Sequence, residues 1–241
     1  MEACLTRNLT VLPSGCDREM KLSVPELFAW FMDIATLHAE QLGVGADAMF
    51  SRGLFWLTVK TKVRILRRPR MLESVTLSTR PLVPERVKAI REYRLEKDGE
   101  LLAEGKTEWA VIRTDTGRLC PMAGIFPAEV ELAAEPQYPA PFARINPDFS
   151  GAEALGSYTV RSTDIDLGGH MNNVAYLRAL LGTLSGQELA RLPQGELEIV
   201  FRTPCFEGET LRVLRRPTET GWELAALKPD GTPAVFVKAD R

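Results

Sequence analysis

An α+β fold built twice over, each copy a long helix wrapped by an antiparallel sheet, is predicted by three observations on this 241-residue chain. An amphipathic helix stands near the front of each half, and segments with strand periodicity follow it in each half. A proline and the turn after it also recur at one offset, 135 residues (204 − 69).

The first helix is announced by Ser23-Val24-Pro25-Glu26, a capping box with serine as N-cap and glutamate three residues on. Val24, Leu27, Phe28, Phe31, Ala35, His38 and Leu42 then recur at helical spacing, and Gly43 stands where a C-cap belongs. Beyond it the period changes to two over residues 56–66, 74–83, 87–97 and 102–113, which predicts four strands. Lys97-Asp98-Gly99-Glu100 is a hairpin signal, and Asp115-Thr116-Gly117 marks another turn.

A proline- and alanine-rich stretch, 121–150, predicts a linker running over the surface between domains at 1–120 and 151–241. The grammar then repeats. A short strand is expected at 158–161, followed by a helix from Val174 to about Ala190 with Leu177, Leu180, Leu181 and Leu184 as its apolar stripe. Strands are expected at 196–202, 210–215, 222–228 and 234–238, with Pro229-Asp230-Gly231-Thr232 turning into the last. Arg68-Pro69 and Glu73-Ser74-Val75-Thr76 lie over Thr203-Pro204 and Gly208-Glu209-Thr210-Leu211, so each half breaks a strand at the proline and resumes it beyond the turn. This is the hot-dog arrangement in tandem, a double hot-dog. A lone copy exposes a sheet edge that the fused copy would cover; the sequence leaves open whether the pair also forms a homodimer.

A hydrophobic fraction of 45% and a charged fraction of 26% are those of a globular domain. No apolar run approaches the roughly 18 residues of a membrane span, so no membrane association is expected. Residues Met1 to Arg7 show neither an apolar signal region nor a transit-peptide composition, and a bacterial-type cytoplasmic location is expected. A net charge of −2 argues against bulk nucleic-acid binding. Cys4, Cys16, Cys120 and Cys205 are scattered without C-x-x-C or metal spacing, as for free thiols in a reducing compartment. Two basic clusters stand out: Lys60, Lys62 and Arg64 with Arg67, Arg68 and Arg70, then Arg212, Arg215 and Arg216. They read either as solvated strand faces or as a docking surface.

The candidate chemistry lies in Asp164-Ile165-Asp166-Leu167-Gly168-Gly169-His170-Met171-Asn172-Asn173-Val174-Ala175-Tyr176-Leu177, a polar turn placed just before a helix. Glycines allow close backbone approach, asparagine is a favoured N-cap, and first-turn amides attract negative charge. His38 and His170 are the two histidines. His38 falls on an apolar helical stripe and reads as packed or pocket-lining, whereas His170 has Asp166 four residues upstream. There is no G-x-S-x-G elbow, H-E-x-x-H, Walker A or dinucleotide fingerprint. An acid, an imidazole and main-chain donors, with no metal or cofactor called for, suit thioester hydrolysis. A thiol of pKa ~8.5 leaves readily, so what remains is to activate the nucleophile and stabilise the oxyanion. Asp166 would activate water or attack directly, and amides at Gly168, Gly169, Asn172 and Asn173 would receive the carbonyl oxygen.

Three segments in order resemble the acyl-ACP thioesterases over roughly residues 5 to 240. Asp164 to Leu177 is similar to that family's L-D-x-N-x-H-V-N-N-x-x-Y run, and Glu108 to Leu119 to its W-V-x-M-N-x-x-T-R-R-L strand and turn. Val200 to Leu211 is similar to its E-C strand. The resemblance implies an acyl-ACP hydrolase with Asp166 and His170 as catalytic residues and Cys205 at the position of the cysteine assigned as nucleophile, or else a small strand residue. Gly168 replaces the family asparagine and Pro204 the glutamate before the cysteine, with Glu207 or Glu209 as nearby substitutes. It also implies that Phe28, Phe31, Ile34 and His38 line the acyl chain, and that Lys60, Lys62, Arg64, Arg67, Arg68, Arg212, Arg215 and Arg216 dock the acidic acyl carrier protein. The rival readings are an acyl-CoA thioesterase and a non-catalytic acyl-binding hot-dog protein.

Overall fold

A computed structural model describes residues 3–190 and 195–240. The chain divides into two units, Met1–Ala140 and Pro141–Arg241. In the first, β1 (Leu5–Thr10) leads to helix α1 (Val24–Gln41) and a short α2 (Ala46–Ser51). Then come β2 (Leu54–Ile65), β3 (Ser74–Pro81), β4 (Ala89–Lys97), β5 (Glu100–Arg113) and the two-residue β6 (Leu119–Cys120). The strands pair antiparallel in the order β1-β3-β4-β5-β2, with β6 on β5. In the second unit β7 (Glu153–Thr159), α3 (Asn173–Leu181) and α4 (Gly186–Ala190) precede β8 (Gly195–Phe201), β9 (Thr210–Pro217), β10 (Gly221–Leu227) and β11 (Pro233–Asp240). Its order is β8-β11-β10-β9-β7.

Read in chain order, both sheets run first, third, fourth, fifth, second strand, with the helix between the first and second. Each unit is therefore the same hot-dog, as the repeated sequence grammar predicts.

Helix α1 forms as its signals require. Ser23 Oγ accepts the Glu26 N–H at 3.3 Å, and Pro25 occupies the first turn, where its missing N–H costs nothing. At the other end Gly43, at φ +70°, lets Val44 N–H reach the Ala39 carbonyl (2.9 Å) and Gly43 N–H the Glu40 carbonyl (3.0 Å), a Schellman closure. Val24, Leu27, Phe28, Phe31, Ile34, Ala35 and His38 are buried. The Phe31 ring stacks on Tyr93 of β4, with centroids 4.6 Å apart and planes 8° apart. Room for it comes from Gly105 of β5, where a Cβ would lie 2.7 Å from Phe31 Cε2 and 2.8 Å from the Lys62 carbonyl oxygen.

The second helix differs from its expectation. A single helix from Val174 to about Ala190 is instead α3, a turn at 182–185, and α4. Ser185 and Glu188 form a capping box, Glu188 Oε2 accepting the Ser185 N–H (2.8 Å) and Ser185 Oγ the Glu188 N–H (3.3 Å). That box starts a new helix rather than continuing the old one.

The 121–150 stretch is more than a surface linker. Met122, Ile125 and Val130 are buried with Leu42, Leu54 and Val111 in one apolar cluster. Further on, Glu92 accepts the main-chain N–H groups of Gln137 (3.0 Å) and Tyr138 (2.8 Å), and Lys106 donates to the Tyr138 carbonyl at 3.2 Å. Glu92 and Lys106 alternate with Arg91, Tyr93 and Gly105, so this covers the sheet face turned away from α1. In the second unit Phe149 stacks on Phe236 (5.6 Å, 9°) within an apolar cluster with Leu214, Ala225 and Leu227. A single layer of antiparallel sheet has two faces. Where the outer one carries Phe236 or Leu214, something must cover it.

Gly105→Ala is expected to destabilise the first unit by about 1–3 kcal/mol, because the neighbours are a packed ring and main chain. Urea unfolding of the variant should show an earlier midpoint at unchanged slope; an unshifted midpoint would mean that α1 is free to move off the sheet.

Candidate active site

Between β7 and α3 the chain doubles back before the helix starts. Ile165 and Met171 face each other as an isolated antiparallel pair. Asn172 N–H donates to the Asp164 carbonyl (2.8 Å) on one side, and Asp166 N–H to the His170 carbonyl (3.0 Å) on the other. The loop closes with Gly169 N–H on the Asp166 carbonyl at 2.9 Å, and Gly169, at φ +77°, takes the left-handed conformation that such a loop needs. Asp166 Oδ1 accepts the Gly168 N–H at 2.8 Å.

This loop sets the two candidate side chains across from one another. Asp166 Oδ1 and His170 Nδ1 are 3.8 Å apart, too far for a hydrogen bond, and the side chains are 31% and 27% exposed. Both close over Gly168, where a Cβ would lie 3.0 Å from His170 Nε2 and 3.1 Å from Asp166 Oδ1. His170 Nδ1 lies 3.4 Å from the Met171 carbonyl oxygen, an acceptor, and Nε2 is the ring nitrogen turned over Gly168. Neither Asp166 Oδ2 nor His170 Nε2 is engaged among the described residues.

Surrounding groups hold the loop rather than react. Asn172 is the α3 N-cap, its Oδ1 accepting the Val174 N–H at 2.8 Å. Asp164 Oδ2 accepts the Tyr158 hydroxyl and the Arg161 N–H, both at 2.8 Å. Met171 N–H donates to the Cys205 carbonyl (2.8 Å), and Cys205 N–H donates to the buried Tyr176 hydroxyl (2.8 Å). Cys205 thus contributes its main chain. Its thiol is buried, burial pushes its pKa up against the pull of Tyr176, and its acceptor is the Thr203 carbonyl at 3.9 Å. Such a thiol is poorly placed to ionise and attack.

The amides expected to form the oxyanion site are mostly committed elsewhere. Those of Gly168, Gly169 and Asn172 are the very donors that close the loop, while Asn173 opens α3. On this run the amides with no acceptor among the described residues include those of Leu167 and His170. Of the two substitute acids, Glu209 is paired with Lys228 at 3.0 Å and accepts the Phe206 N–H at 3.0 Å; despite burial, these contacts hold its carboxyl low. Glu207 is exposed. Pro204, standing at the family's glutamate position, offers its carbonyl to Lys228 at 3.1 Å.

The first unit contains the same loop, which sequence reading missed. Cys16 and Leu22 form the isolated pair; Asp17 N–H donates to the Lys21 carbonyl (2.8 Å), Met20 N–H to the Asp17 carbonyl (3.0 Å), and Ser23 N–H to the Gly15 carbonyl (2.9 Å). Asp17 Oδ1 accepts the Glu19 N–H at 2.9 Å, and Met20 takes the left-handed position at φ 56°. The readable signal was an aspartate six residues before a helix N-cap, Asp17 to Ser23 and Asp166 to Asn172. The side chains differ. Lys21 stands for His170 and Glu19 for Gly168, and Asp17 is bound by the Arg68 guanidinium.

The other expected site residues are dispersed. Phe28, Phe31, Ile34 and His38 lie on the buried face of α1. Most of the basic residues nominated for docking are engaged within the chain. Lys60 pairs with Glu108 (3.3 Å), Arg64 with Glu104, Arg67 with Glu73 (3.1 Å) and Glu100 (3.2 Å), and Arg68 with Asp17, while Lys62 is buried. Arg215 holds Glu153 (2.7 Å) and Glu188, and Arg216 holds Glu223 and lies 4.4 Å over the Phe149 ring. Arg212 is exposed with no acidic partner among the described residues.

A double hot-dog with one acid–imidazole loop is the class that fold and site define. Residues 3–129 match the family model of the acyl-ACP thioesterase N-terminal domain and residues 150–229 that of its C-terminal domain, and the chain belongs to the acyl-ACP thioesterase family. A palmitoyl-acyl carrier protein thioesterase of Cuphea hookeriana chloroplasts is 23% identical over 224 residues, 86% of this chain and 52% of that protein. The chain therefore spans about half the length of the curated relatives it matches. An acyl-ACP thioesterase of Bacteroides thetaiotaomicron has the same fold, with a TM-score of 0.84 at 18% identity over 99% of this chain and 97% of its own. So has the 12:0-ACP thioesterase of Umbellularia californica, at 0.82 and 17% over 100% and 97%.

Asp17 yields a test that separates the two loops. Burial raises its carboxyl, but Arg68 and the Lys21 and Glu19 N–H groups outweigh that and hold it below the usual value of 3.8. A depressed carboxyl stabilises the folded state above its ordinary pKa, and that stability is lost as pH falls through the lowered value. Asp17→Asn should cost about 1–3 kcal/mol at neutral pH by leaving Arg68 only its longer contact with Glu19, 3.7 Å. The gap between variant and parent melting curves should narrow as the pH is lowered below about 4; a gap independent of pH would exclude this pair as its source.

Proposed function

We propose that this protein hydrolyses the thioester of a fatty acyl-[acyl carrier protein], releasing the free fatty acid and the carrier thiol. The observation that carries the reading is the pair of unengaged atoms, Asp166 Oδ2 and His170 Nε2, on side chains that close over Gly168 in a loop whose twin lacks both the imidazole and a free carboxylate. Because the loop recurs where Asp17 is tied up, its backbone is a fold element. The substituted side chains are what make the second copy a candidate for chemistry.

In the reaction one of the two bases takes a proton from water as the water oxygen bonds to the thioester carbonyl carbon. The carbonyl electrons move onto its oxygen, where an uncommitted main-chain N–H, Leu167 or His170, donates to it. Collapse re-forms the carbonyl and breaks the carbon–sulfur bond, and the thiolate leaves with the proton returned from the base. Direct attack by Asp166 on the carbonyl is the alternative order of events. Cys205 serves as packing and main-chain support. Its carbonyl and N–H hold Met171 and Tyr176 in place.

The apolar face of α1, with Phe28, Phe31 and Ile34, fits an acyl chain better than a polar metabolite. The carrier protein as partner is supported by the family and by the activities of the relatives. Among the nominated basic residues, Arg212 is the one we retain for docking, since its charge is not spent internally. The four cysteines are free, and no described helix is long and apolar enough to cross a membrane. Free thiols suit a reducing compartment, which in our reading is the cytoplasm.

Asp166→Asn and His170→Ala should each lower fatty acid release from acyl-ACP by about 10²–10⁴-fold, with unchanged circular dichroism and melting temperature. Matched acyl-ACP and acyl-CoA esters should be hydrolysed unequally in favour of ACP. A parent protein inactive on both, yet binding acyl chains, would replace this reading with a binding module. Arg212→Glu should raise KM for acyl-ACP and flatten its salt dependence while leaving a carrier-free acyl-pantetheine ester unaffected.

A further inference from the structure

Inside the first unit, against α1, lies a group of polar side chains that the proposed hydrolysis does not use. Arg91 of β4 is 6% exposed, Tyr93 1% and His38 1%. A guanidinium has donors only, so its 2.9 Å contact with His38 Nδ1 makes that nitrogen an acceptor and His38 neutral. Arg91 also donates to Thr79 Oγ1 at 3.3 Å. Both partners are uncharged, and no carboxylate pairs with Arg91 among the described residues.

Two more donors join it. Tyr93 Oη and Trp109 Nε1 are buried without a hydrogen-bond partner among the described residues. They share the inner sheet face with Arg91, since Ala89 pairs with Trp109, Arg91 with Thr107 and Tyr93 with Gly105. The register of β4 on β5 sets these side chains next to one another on that face; burial pushes the Tyr93 phenol up, while Arg91, Thr107 and Trp109 pull the other way. Buried donors left unpaired are costly, as is a buried cation without a counter-charge, and such groups persist where something else accepts from them.

We infer that the interior of the first unit recognises an acyl chain bearing an acceptor oxygen, a ketone or a carboxylate, through Arg91, Tyr93 and Trp109. A plain hydrocarbon offers no acceptor to Tyr93 Oη or Trp109 Nε1 and no counter-charge to Arg91, whose own hydrogen bonds go to the neutral His38 and Thr79. A carboxylate answers both the donors and the charge, and a ketone answers the donors alone. The inference rests on the acyl-thioesterase reading for the nature of the ligand, but it concerns residues separate from Asp166 and His170. The sequence carried a signal for it: Arg91 interrupts an otherwise apolar inward row, Ala89, Tyr93 and Leu95.

The test is calorimetric titration of the full chain with non-hydrolysable acyl amides of pantetheine, matched in length and ending in methyl, ketone or carboxylate. Ketone- or carboxylate-ended chains should bind at least about tenfold more tightly than the methyl-ended one. Arg91→Met and the double variant Tyr93→Phe, Trp109→Phe should each erase that preference. The double variant keeps the question open to test if loss of Arg91 prevents folding. Equal or tighter binding of the methyl-ended chain, or a preference that survives in the variants, would overturn the inference. Because binding is read without turnover, hydrolysis without preference would defeat this inference alone. Preference without hydrolysis on any thioester would defeat the functional reading alone.

Discussion

A short loop with an aspartate at its head, closed by main-chain hydrogen bonds just before a helix begins, is the constraint on which the rest of this protein hangs. It occurs in both units, at Asp17 and at Asp166. In each the aspartate carboxylate accepts an N–H two residues on, a left-handed residue turns the chain, and the next capping residue starts the helix. Helix start, strand end and side-chain placement are thereby coupled, so a carboxylate at this point is fixed in position before any substrate is considered.

Duplication separates what the loop does for folding from what it does for chemistry. In the first unit Arg68 occupies the carboxylate, and a lysine stands at the histidine's position. The loop there is an anchor. In the second unit Gly168 removes the side chain that would crowd Asp166 and His170, leaving one oxygen and one nitrogen uncommitted. The first unit's own polar investment lies elsewhere, between α1 and its sheet, where Arg91 is buried among neutral partners. One fold copied twice thus carries a half-buried aspartate–histidine pair in one copy and a buried donor cluster in the other, so the shared scaffold presents different chemistry in each.

Much of this was legible in the residues. The serine N-cap at Ser23, the stripe from Val24 to Leu42 and the glycine at position 43 each appear in the structure, because capping and helical periodicity act over one or two turns of chain; the other half of the expected box does not form, the Ser23 N–H going to the Gly15 carbonyl. The break in the second helix is equally local, but the leucine stripe running across it masks the box at Ser185 and Glu188 in the sequence. What could not be read was the use of the 121–150 stretch. Whether Phe149 or Tyr138 floats over solvent or packs on a sheet face depends on partners, such as Phe236 or Lys106, that are distant in sequence.

Charge shows the same division. Lys60, Arg64, Arg67, Arg68, Arg215 and Arg216 look like a docking surface in one dimension, but strand register sets acids beside Lys60, Arg64, Arg215 and Arg216, and loop residues Glu73 and Asp17 do so for Arg67 and Arg68, which turns most of that surface into internal pairs. The sequence by itself determined the double hot-dog and the turn that carries Asp166 and His170, because short-range spacing and turn chemistry specify both, and three motif segments in order carried the resemblance to the family. Only the tertiary structure decided that the loop's own amides are spent on closing it, that the Cys205 thiol is buried, and that Arg91, Tyr93 and Trp109 meet inside the first unit. Hydrogen-bond partners and burial are set by which strands lie side by side, and that pairing brings together residues far apart along the chain.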